Sequence, residues 1–468
     1  MPPTFLITGF IVITSGTAVL HALLTKRDAR AAFGWIAFCL FLPFFGPMTY
    51  LIFGINRIKH TAHKLYTVNI EADGTESVRD PGGTNLRPLS TVGENVTHKG
   101  LRSCDEVVVL ENGESLYPAM LDAIRNANRK IYLSSYIIDN DSVGAEFTTA
   151  LGDAQARGVD VRIIVDGLGE YMSWPRIGGT LRRKGLNFAR FNPISVIPPA
   201  LHVNMRNHRK IFVADGNVGF TGGQNIGTRH LLGDKSHTDH VSDLHFRFTG
   251  KIVDELERAF LSDWNYCRPD RGNSRFMPEN ENRTESEIWT RLVLDGPNEY
   301  LDRLNDLIVG VISAARSRVW IMTPYFLPGN DIVSALLGAR LRGVDVKILL
   351  PVRSNIFLVN WATQNTLSYF IEKDIEIYHQ PAPFAHAKVL LIDDHYALIG
   401  SANLDSRSLR LNFELGLEIF SSSVNIKLAD YFLPRIQAAT RVDLAQLRTI
   451  SKLSRLRNAL AWLFSPYL

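Results

Sequence analysis

Two long uncharged runs open the chain. Residues 4–24, TFLITGFIVITSGTAVLHALL, contain no Asp, Glu, Lys or Arg. As a helix they would span ~30 Å, about the thickness of a bilayer core. After TKRDAR comes a second uncharged run at residues 31–55, AAFGWIAFCLFLPFFGPMTYLIFGI, with aromatic residues near both ends. The pattern predicts a hydrophobic helical hairpin over residues 1–58 that anchors the chain in a membrane. A cleaved signal peptide fits poorly, because no basic segment precedes the first run and a second run follows at once. Pro43 and Pro47 make the second run either a kinked span or a re-entrant segment. Lys26, Arg27 and Arg30 lie between the runs and Arg57, Lys59 and Lys64 follow them, so the flanking cations pull the orientation both ways.

The pattern then turns polar over residues 59–104, which include DPGGTN and read as a linker. Beyond it the chain falls into two similar halves, 105–270 and 290–468, separated by a second linker at 271–289 rich in Asn, Glu and Arg. SLYPAMLDAIRNANRKIYLSSYIIDND (115–141) matches YLDRLNDLIVGVISAARSRVWIMTPYFLPGND (300–331). Each reads as an amphipathic helix followed by a β-rich apolar run. ARGVDVRIIVDG (156–167) matches LRGVDVKILLPV (341–352), a helix end, a glycine break and a buried strand. Strands alternating with helices predict the α/β class, with two sandwich domains produced by internal duplication. A solenoid would need shorter units and more of them.

Each half also carries the same polar signature. NHRKIFVADGNVGFTGGQN (207–225) and AHAKVLLIDDHYALIGSAN (385–403) place a histidine, a lysine and an aspartate at identical spacings. Side chains alternate along a strand, so His208 and Lys210 share a face, as do His386 and Lys388. Glycine-rich turns follow, where Gly222, Gly223, Gly400 and Ser401 allow close backbone approach and Asn225 and Asn403 bring amide donors. Histidine, lysine, asparagine and bare backbone together suit an oxyanion, above all a phosphate. Of the other histidines, His202, His230, His237, His240 and His245 lack these companions and read as structural.

Two copies answer a chemical need. Cleaving a phosphodiester takes a nucleophile on phosphorus and a proton donor on the departing oxygen, and imidazole with a reference pKa of ~6.5 serves as either. One histidine would attack to give a phosphohistidine; the other would protonate the leaving group and then act as base for an incoming hydroxyl. Lys210 and Lys388 would neutralise the non-bridging oxygens in place of a metal, and losing one such donor is worth roughly 10²–10³ in rate. No cofactor or metal is implied. Each imidazole needs a partner to fix its tautomer, and Asp243 in HVSDLHFRF and Glu414 in LNFELGLEIF stand at matching places downstream. Asp215 and Asp393 lie an odd number of strand positions from their histidines. They read as catalytic through the motif, or equally as caps of the following turn or as bonds across the domain interface.

Composition adds little. A net charge of +4 on 468 residues does not argue for nucleic acid, and Cys39, Cys104 and Cys267 are scattered in no metal-ligand spacing.

At these motifs the chain resembles the phospholipase D superfamily, whose signature is H-x-K-x4-D followed by G-G/S-x-N. His208, Lys210, Asp215, Gly222, Gly223 and Asn225 fit it, as do His386, Lys388, Asp393, Gly400, Ser401 and Asn403. Within that superfamily the double hydrophobic N-terminus ending YLIFGINR, the TPYFLPG segment and the closing LFSPYL are most similar to bacterial cardiolipin synthases. The resemblance implies two phospholipase D-type α/β/α sandwich domains and a metal-independent ping-pong reaction. A phosphatidyl group would pass from one phosphatidylglycerol to another with release of glycerol. It further implies His208 as nucleophile, His386 as acid and base, a multi-pass protein of the inner membrane, and catalytic domains on the cytoplasmic side. One departure is Gly223, where the second copy has Ser401.

The tail bears on the partner. Leu444, Leu447, Ile450, Leu453, Leu456, Leu460 and Leu463 recur with Arg448, Lys452, Arg455 and Arg457 largely between them. That is a basic amphipathic helix, fit either for an anionic bilayer surface or for packing its apolar stripe on the domain. The nearest rival activity is hydrolysis by a phospholipase D to phosphatidic acid. A nuclease is disfavoured by the anchor and by the lack of a basic stripe with interleaved aromatics. Two intact motifs disfavour a non-catalytic scaffold.

Overall fold

The computed structural model describes residues 3–26, 29–54, 86–194, 204–234, 239–268, 274, 276, 287–298, 300–466 and 468. Arg27, Arg57, Lys59, Lys64, His202, His237 and most of the 271–289 linker therefore lie outside the described residues. The chain divides into two units, residues 1–65 and 66–468.

In the first unit, Pro3–Thr25 is one helix, and its segment Thr8–Thr25 is long and apolar enough to cross a membrane. The second run forms a helix only over Ala29–Phe41, followed by a short helix at Phe45–Thr49 and a wider-wound turn at Tyr50–Gly54. Thirteen residues rise only ~20 Å, and the break falls at Pro43, where the ring removes a backbone donor. Ser15 donates to the Pro43 carbonyl at 2.8 Å, and His21 Nδ1 meets the Tyr50 hydroxyl at 2.8 Å, tying the hairpin together.

The second unit holds two sheets of one design. The first orders its seven strands as Glu106–Glu111, Leu244–Thr249, Val218–Gly222, Ile211–Ala214, Lys130–Ser135, Asp160–Asp166 and Phe188–Phe191. Lys130–Ser135 is parallel to Asp160–Asp166 and antiparallel to Ile211–Ala214. Alternation along it assigns the layers. Ile131 and Leu133 pack with Leu116, Leu121 and Phe147 from helices Asn112–Asn126 and Ser142–Ala156. Tyr132 on the opposite face stacks on Phe260 of helix Ile252–Cys267 at 4.9 Å between rings.

The second sheet repeats this plan. Arg318–Met322 pairs in parallel with Asp345–Pro351 and antiparallel with Val389–Ile392. Val319 and Ile321 face helices Arg303–Ala314 and Asn330–Leu341, while Trp320 stacks on Phe432 of helix Ser422–Ala438 at 5.2 Å. These are the two duplicated α/β/α sandwiches that the sequence predicts.

The stretch expected to be linker carries structure that belongs to the second sandwich. Helix Arg87–Thr97 places Leu89, Val92 and Val96 against that core. Gly310 makes room for it, since a Cβ there would meet Val92 Cγ1 at 2.3 Å. Strand Arg102–Cys104 adds an edge to the second sheet by pairing with Ile288–Asp295. The stretch expected to be linker up to 104 thus contains a strand of the second sheet, and strand Ile288–Asp295 begins two residues before the expected boundary at 289–290, each recruited by sheet pairing. The basic tail is two helices, Leu444–Arg448 and Lys452–Trp462, with Ser451 capping the second through the Ser454 N–H.

Candidate functional site

His208 and His386 each lead into the middle strand of a hairpin, Ile211–Ala214 and Val389–Ile392. What brings them together is a pair of short ladders between the halves. His208 N–H donates to the Phe413 carbonyl at 2.9 Å, and Phe413 N–H to the Arg206 carbonyl at 2.8 Å. Reciprocally, Phe384–Ala385 pairs in parallel with Val241–Ser242, and His386 N–H donates to the Ser242 carbonyl at 2.8 Å. The residue after Phe413 is Glu414, and the residue after Ser242 is Asp243. Register alone therefore sets each carboxylate beside the histidine of the other half.

His386 Nδ1 is hydrogen-bonded to Asp243 Oδ2 at 2.7 Å. His208 Nδ1 stands 3.0 Å from Glu414 Oε1, an ion-pair contact outside hydrogen-bond geometry. Both carboxylates are fully buried, whereas the imidazoles keep 22% and 18% of their side-chain surface open. The hydrogen bond pins Nδ1 of His386, the contact turns Nδ1 of His208 toward Glu414, and Nε2 of each ring is left for chemistry.

Lys210 Nζ donates to the His208 carbonyl at 2.8 Å, and Lys388 Nζ to the His386 carbonyl at 2.5 Å. Each lysine thus has donors left for an incoming oxyanion. Burial pushes Lys210 down to about 8 against the pull of Glu414, Asp243 and Asp166. Burial likewise pushes Lys388 down to about 7, with Asp243 opposing and Lys210 adding to the shift. His386 is pushed to about 4, first by burial and then by the Lys388 charge, with Asp243 resisting. Burial works to raise Asp243, but His386 and Lys388 outweigh it and hold the carboxyl well below the usual range. The site gathers two lysines and two imidazoles around two buried carboxylates, Asp243 and Glu414, with burial opposing the lysine charges.

The turn residues divide. Ser401 Oγ donates to Glu414 Oε2 at 2.5 Å and accepts the Leu415 N–H at 3.0 Å, so its hydroxyl orients the carboxylate. Asn403 Nδ2 donates to Ser408 Oγ at 3.2 Å, while its Oδ1 is buried without a hydrogen bond. Asn225 Oδ1 accepts the Ile137 N–H at 3.3 Å. Both amides orient the turn, one of the two roles expected of them, Asn403 through its nitrogen and Asn225 through its oxygen.

Asp215 and Asp393 are not with the histidines. Asp215 closes the far end of its strand with φ +52°, and its carboxylate accepts the N–H groups of Asn128, Arg129 and Lys130 at 2.8 to 3.0 Å. Asp393, at φ +50°, does the same for Arg316, Ser317 and Arg318. The catalytic place given them by the motif is thus corrected to a capping one, because the strand's length separates them from the site.

Three neighbours were missed. The Tyr136 ring lies 4.2 Å from that of His208, with Lys210 Nζ 5.7 Å from its centroid. Tyr325 sits 6.3 Å from Phe384, which is 6.0 Å from His386. The two tyrosines do not hold equivalent places: sheet register sets Pro324 at the place of Tyr136 and Ile137 at the place of Tyr325, so aligning the repeats would not have paired them. Arg209 left no signal either, as Ala387 stands opposite it. Fully buried, it binds Asp263 at 2.7 Å, the Glu414 carbonyl at 3.1 Å and the Asp295 carbonyl at 3.0 Å, fixing the backbone that presents Glu414. Among the described residues no group of three or more His, Cys, Asp or Glu is disposed to hold a metal ion.

Comparison with known proteins identifies the family. Residues 120–264 and 308–435 match the family described as cardiolipin synthase, phospholipase D-like domain, and residues 15–54 match a phospholipase D-nuclease N-terminal family. The cardiolipin synthase of Geobacillus thermodenitrificans is 30% identical over 98% of this chain and 94% of its own. Cardiolipin synthase A of Pseudomonas fluorescens is 31% identical over 96% and 95%. A solved phosphatidylserine synthase of Haemophilus influenzae shares the fold, with TM-score 0.64 at 14% identity over 82% of this chain and all of that one. The chain belongs to the phospholipase D-like cardiolipin synthase family and is a phosphatidyltransferase of that kind.

Proposed function

We propose that this family member makes cardiolipin from two molecules of phosphatidylglycerol, through a phosphohistidine and with release of glycerol. The observation that carries the reading is the crossed pair of histidine–carboxylate contacts, His208–Glu414 and His386–Asp243, with Lys210 and Lys388 beside them. In the first step His208 Nε2 bonds to phosphorus as the bond to the glycerol oxygen breaks, and His386 gives that oxygen its proton. In the second, His386 takes the proton from a hydroxyl of the second phosphatidylglycerol, whose oxygen displaces His208.

Burial and the Lys388 charge hold His386 near 4, below what a proton donor needs at neutral pH. A seated phosphodiester supplies the correction: its charge offsets Lys388 and Lys210, two of the groups that depress the imidazole. The same depressed pKa favours a second reading with the roles exchanged, since a neutral, hydrogen-bonded imidazole is already a competent nucleophile.

Membership of the family supports the domain roles as well. We assign residues 1–58 to a multi-pass anchor in the cell membrane and the two sandwiches to a single cytoplasmic catalytic body. The test is mass spectrometry of lipids after full-length protein meets phosphatidylglycerol vesicles, with enzyme quenched in alkaline denaturant, where a P–N bond survives, and digested to locate the phosphatidyl adduct. Cardiolipin plus glycerol, with the adduct on His208, is expected, and His208→Ala and His386→Ala should each abolish it. An adduct on His386 would exchange the roles. Phosphatidic acid without cardiolipin would make water the acceptor and the protein a phospholipase.

A further inference from the structure

Leu447 of the tail packs on the second sandwich, but the leucines of the last helix do not pack on the protein. Helix Lys452–Trp462 lies on helix Phe357–Ile371 through Asn458 and Ala461, each 4% exposed, and Ala461 joins Leu327, Val359 and Ala362. The leucines point away: Leu453, Leu456, Leu460 and Leu463 are 80%, 58%, 52% and 63% exposed. Phe357, also exposed, touches Trp361, on whose ring the Arg457 guanidinium rests at 4.5 Å. A helix that turns small and polar side chains inward and leucines outward has its partner elsewhere.

This surface borders the site. Tyr325 packs on the same Leu327–Ala461 cluster and leads through Phe384 to His386. The other half has its own exposed apolar projection. Gly169 is pressed against the Tyr136 carbonyl, where a Cβ would come within 1.9 Å, and Tyr136 carries the His208 contact. Directly after it, Tyr171, Met172 and Trp174 stand exposed, with Arg176 stacked 3.6 Å over Tyr171. The charges around both projections have one sign. Residues 444–468 hold Arg448, Lys452, Arg455 and Arg457 and no acid, and residues 171–186 hold Arg176, Arg182, Arg183 and Lys184 and no acid.

We propose that these two projections seat the mouth of the site on the surface of an anionic phospholipid bilayer. Exposed leucine and aromatic side chains enter the interface, and the flanking cations meet lipid phosphates. Entry of the headgroup from this face rests on the lipid reaction proposed above; the seating itself does not.

The test uses full-length protein in phosphatidylglycerol vesicles, with a nitrobenzoxadiazole label at Leu456→Cys, at Trp174→Cys, or at Asp394→Cys in the turn at the far end of the second sheet. Labelled parent protein supplies the background of the native cysteines. Brominated acyl chains should quench the first two labels at least twofold and leave the third unchanged, in active protein and in His208→Ala alike. This readout needs no turnover, so a failed lipid transfer leaves it intact. Unquenched, water-like emission at either position would overturn the proposal. Blue-shifted emission without quenching would also overturn it, by showing that protein rather than lipid covers the face.

Discussion

Replacing Gly223 by alanine should disable His386 without touching it. A Cβ on Gly223 would lie 2.5 Å from Asp243 Oδ1 and 2.9 Å from Oδ2. The carboxylate must then retreat by at least ~0.5 Å in a packed interior that transmits such shifts. It has nowhere to go without loss, because Oδ1 accepts the Leu244 N–H at 2.8 Å and Oδ2 holds His386 at 2.7 Å. A positioned proton-transfer group contributes about 10²–10⁴ in rate, so kcat should fall about 10²-fold while KM moves less than about threefold. The second half shows how the clash is relieved. There Ser401 tolerates a Cβ because Glu414, one methylene longer, accepts the serine hydroxyl at 2.5 Å. Gly223→Ser with Asp243→Glu should copy that arrangement and recover activity to within about tenfold of wild type, measured as cardiolipin formed from phosphatidylglycerol vesicles. A fully active Gly223→Ala enzyme, or a double variant no better than Gly223→Ser, would refute the reasoning.

The pH profile follows from the lysines. Their charges are present below about 7 for Lys388 and about 8 for Lys210 and are lost as pH rises through those values. Accordingly kcat/KM, which reports the free enzyme, should decline from pH 7 to 9, and a flat profile to pH 9 would contradict the phosphate-binding role. Arg209→Met should leave Asp263 buried without its cation and cost about 3–5 kcal/mol. Thermal unfolding should then begin roughly 10 °C lower, and Arg209→Lys should not restore it because the fork to the Glu414 and Asp295 carbonyls is gone. On the proposed reaction, in which lysines serve the phosphate, turnover should survive a chelator; loss on EDTA reversed by a single divalent ion would count against that account.

What could be read from the residues was whatever repeats or keeps a period. The two uncharged runs, the duplicated helix–strand units and the paired His–Lys motifs are local patterns, and each corresponds to an element of the structure. The helix at Arg87–Thr97 was hidden by its shortness and by Pro88 and Gly93, although Leu89, Val92 and Val96 keep a helical spacing. Asp215 and Asp393 mislead because spacing along a strand says nothing of which end faces the site. Asp243 and Glu414 were legible as candidates from their matching places. Which histidine each serves was not, because that depends on a ladder between residues some 200 positions apart, such as Asn207 with Phe413.

That ladder changes what the duplication means. Had each half paired its own histidine and carboxylate, two copies would be two equivalent sites. Crossing makes each half incomplete: His208 relies on Glu414 and His386 on Asp243, so only the closed pair of sandwiches holds an oriented imidazole. Crossing by itself still leaves the two histidines alike, whereas a transfer that alternates attack and proton donation needs them unlike. Three departures from symmetry supply the difference. Asp243 over Gly223 grips His386 in a true hydrogen bond, while Glu414, shared with Ser401, only approaches His208. Arg209 clamps the backbone under Glu414, and the Ala387 opposite it has no guanidinium to do the same. Tyr136 lies directly on His208, while Tyr325 reaches His386 only through Phe384. These three differences give the two histidines of one repeated motif unlike surroundings.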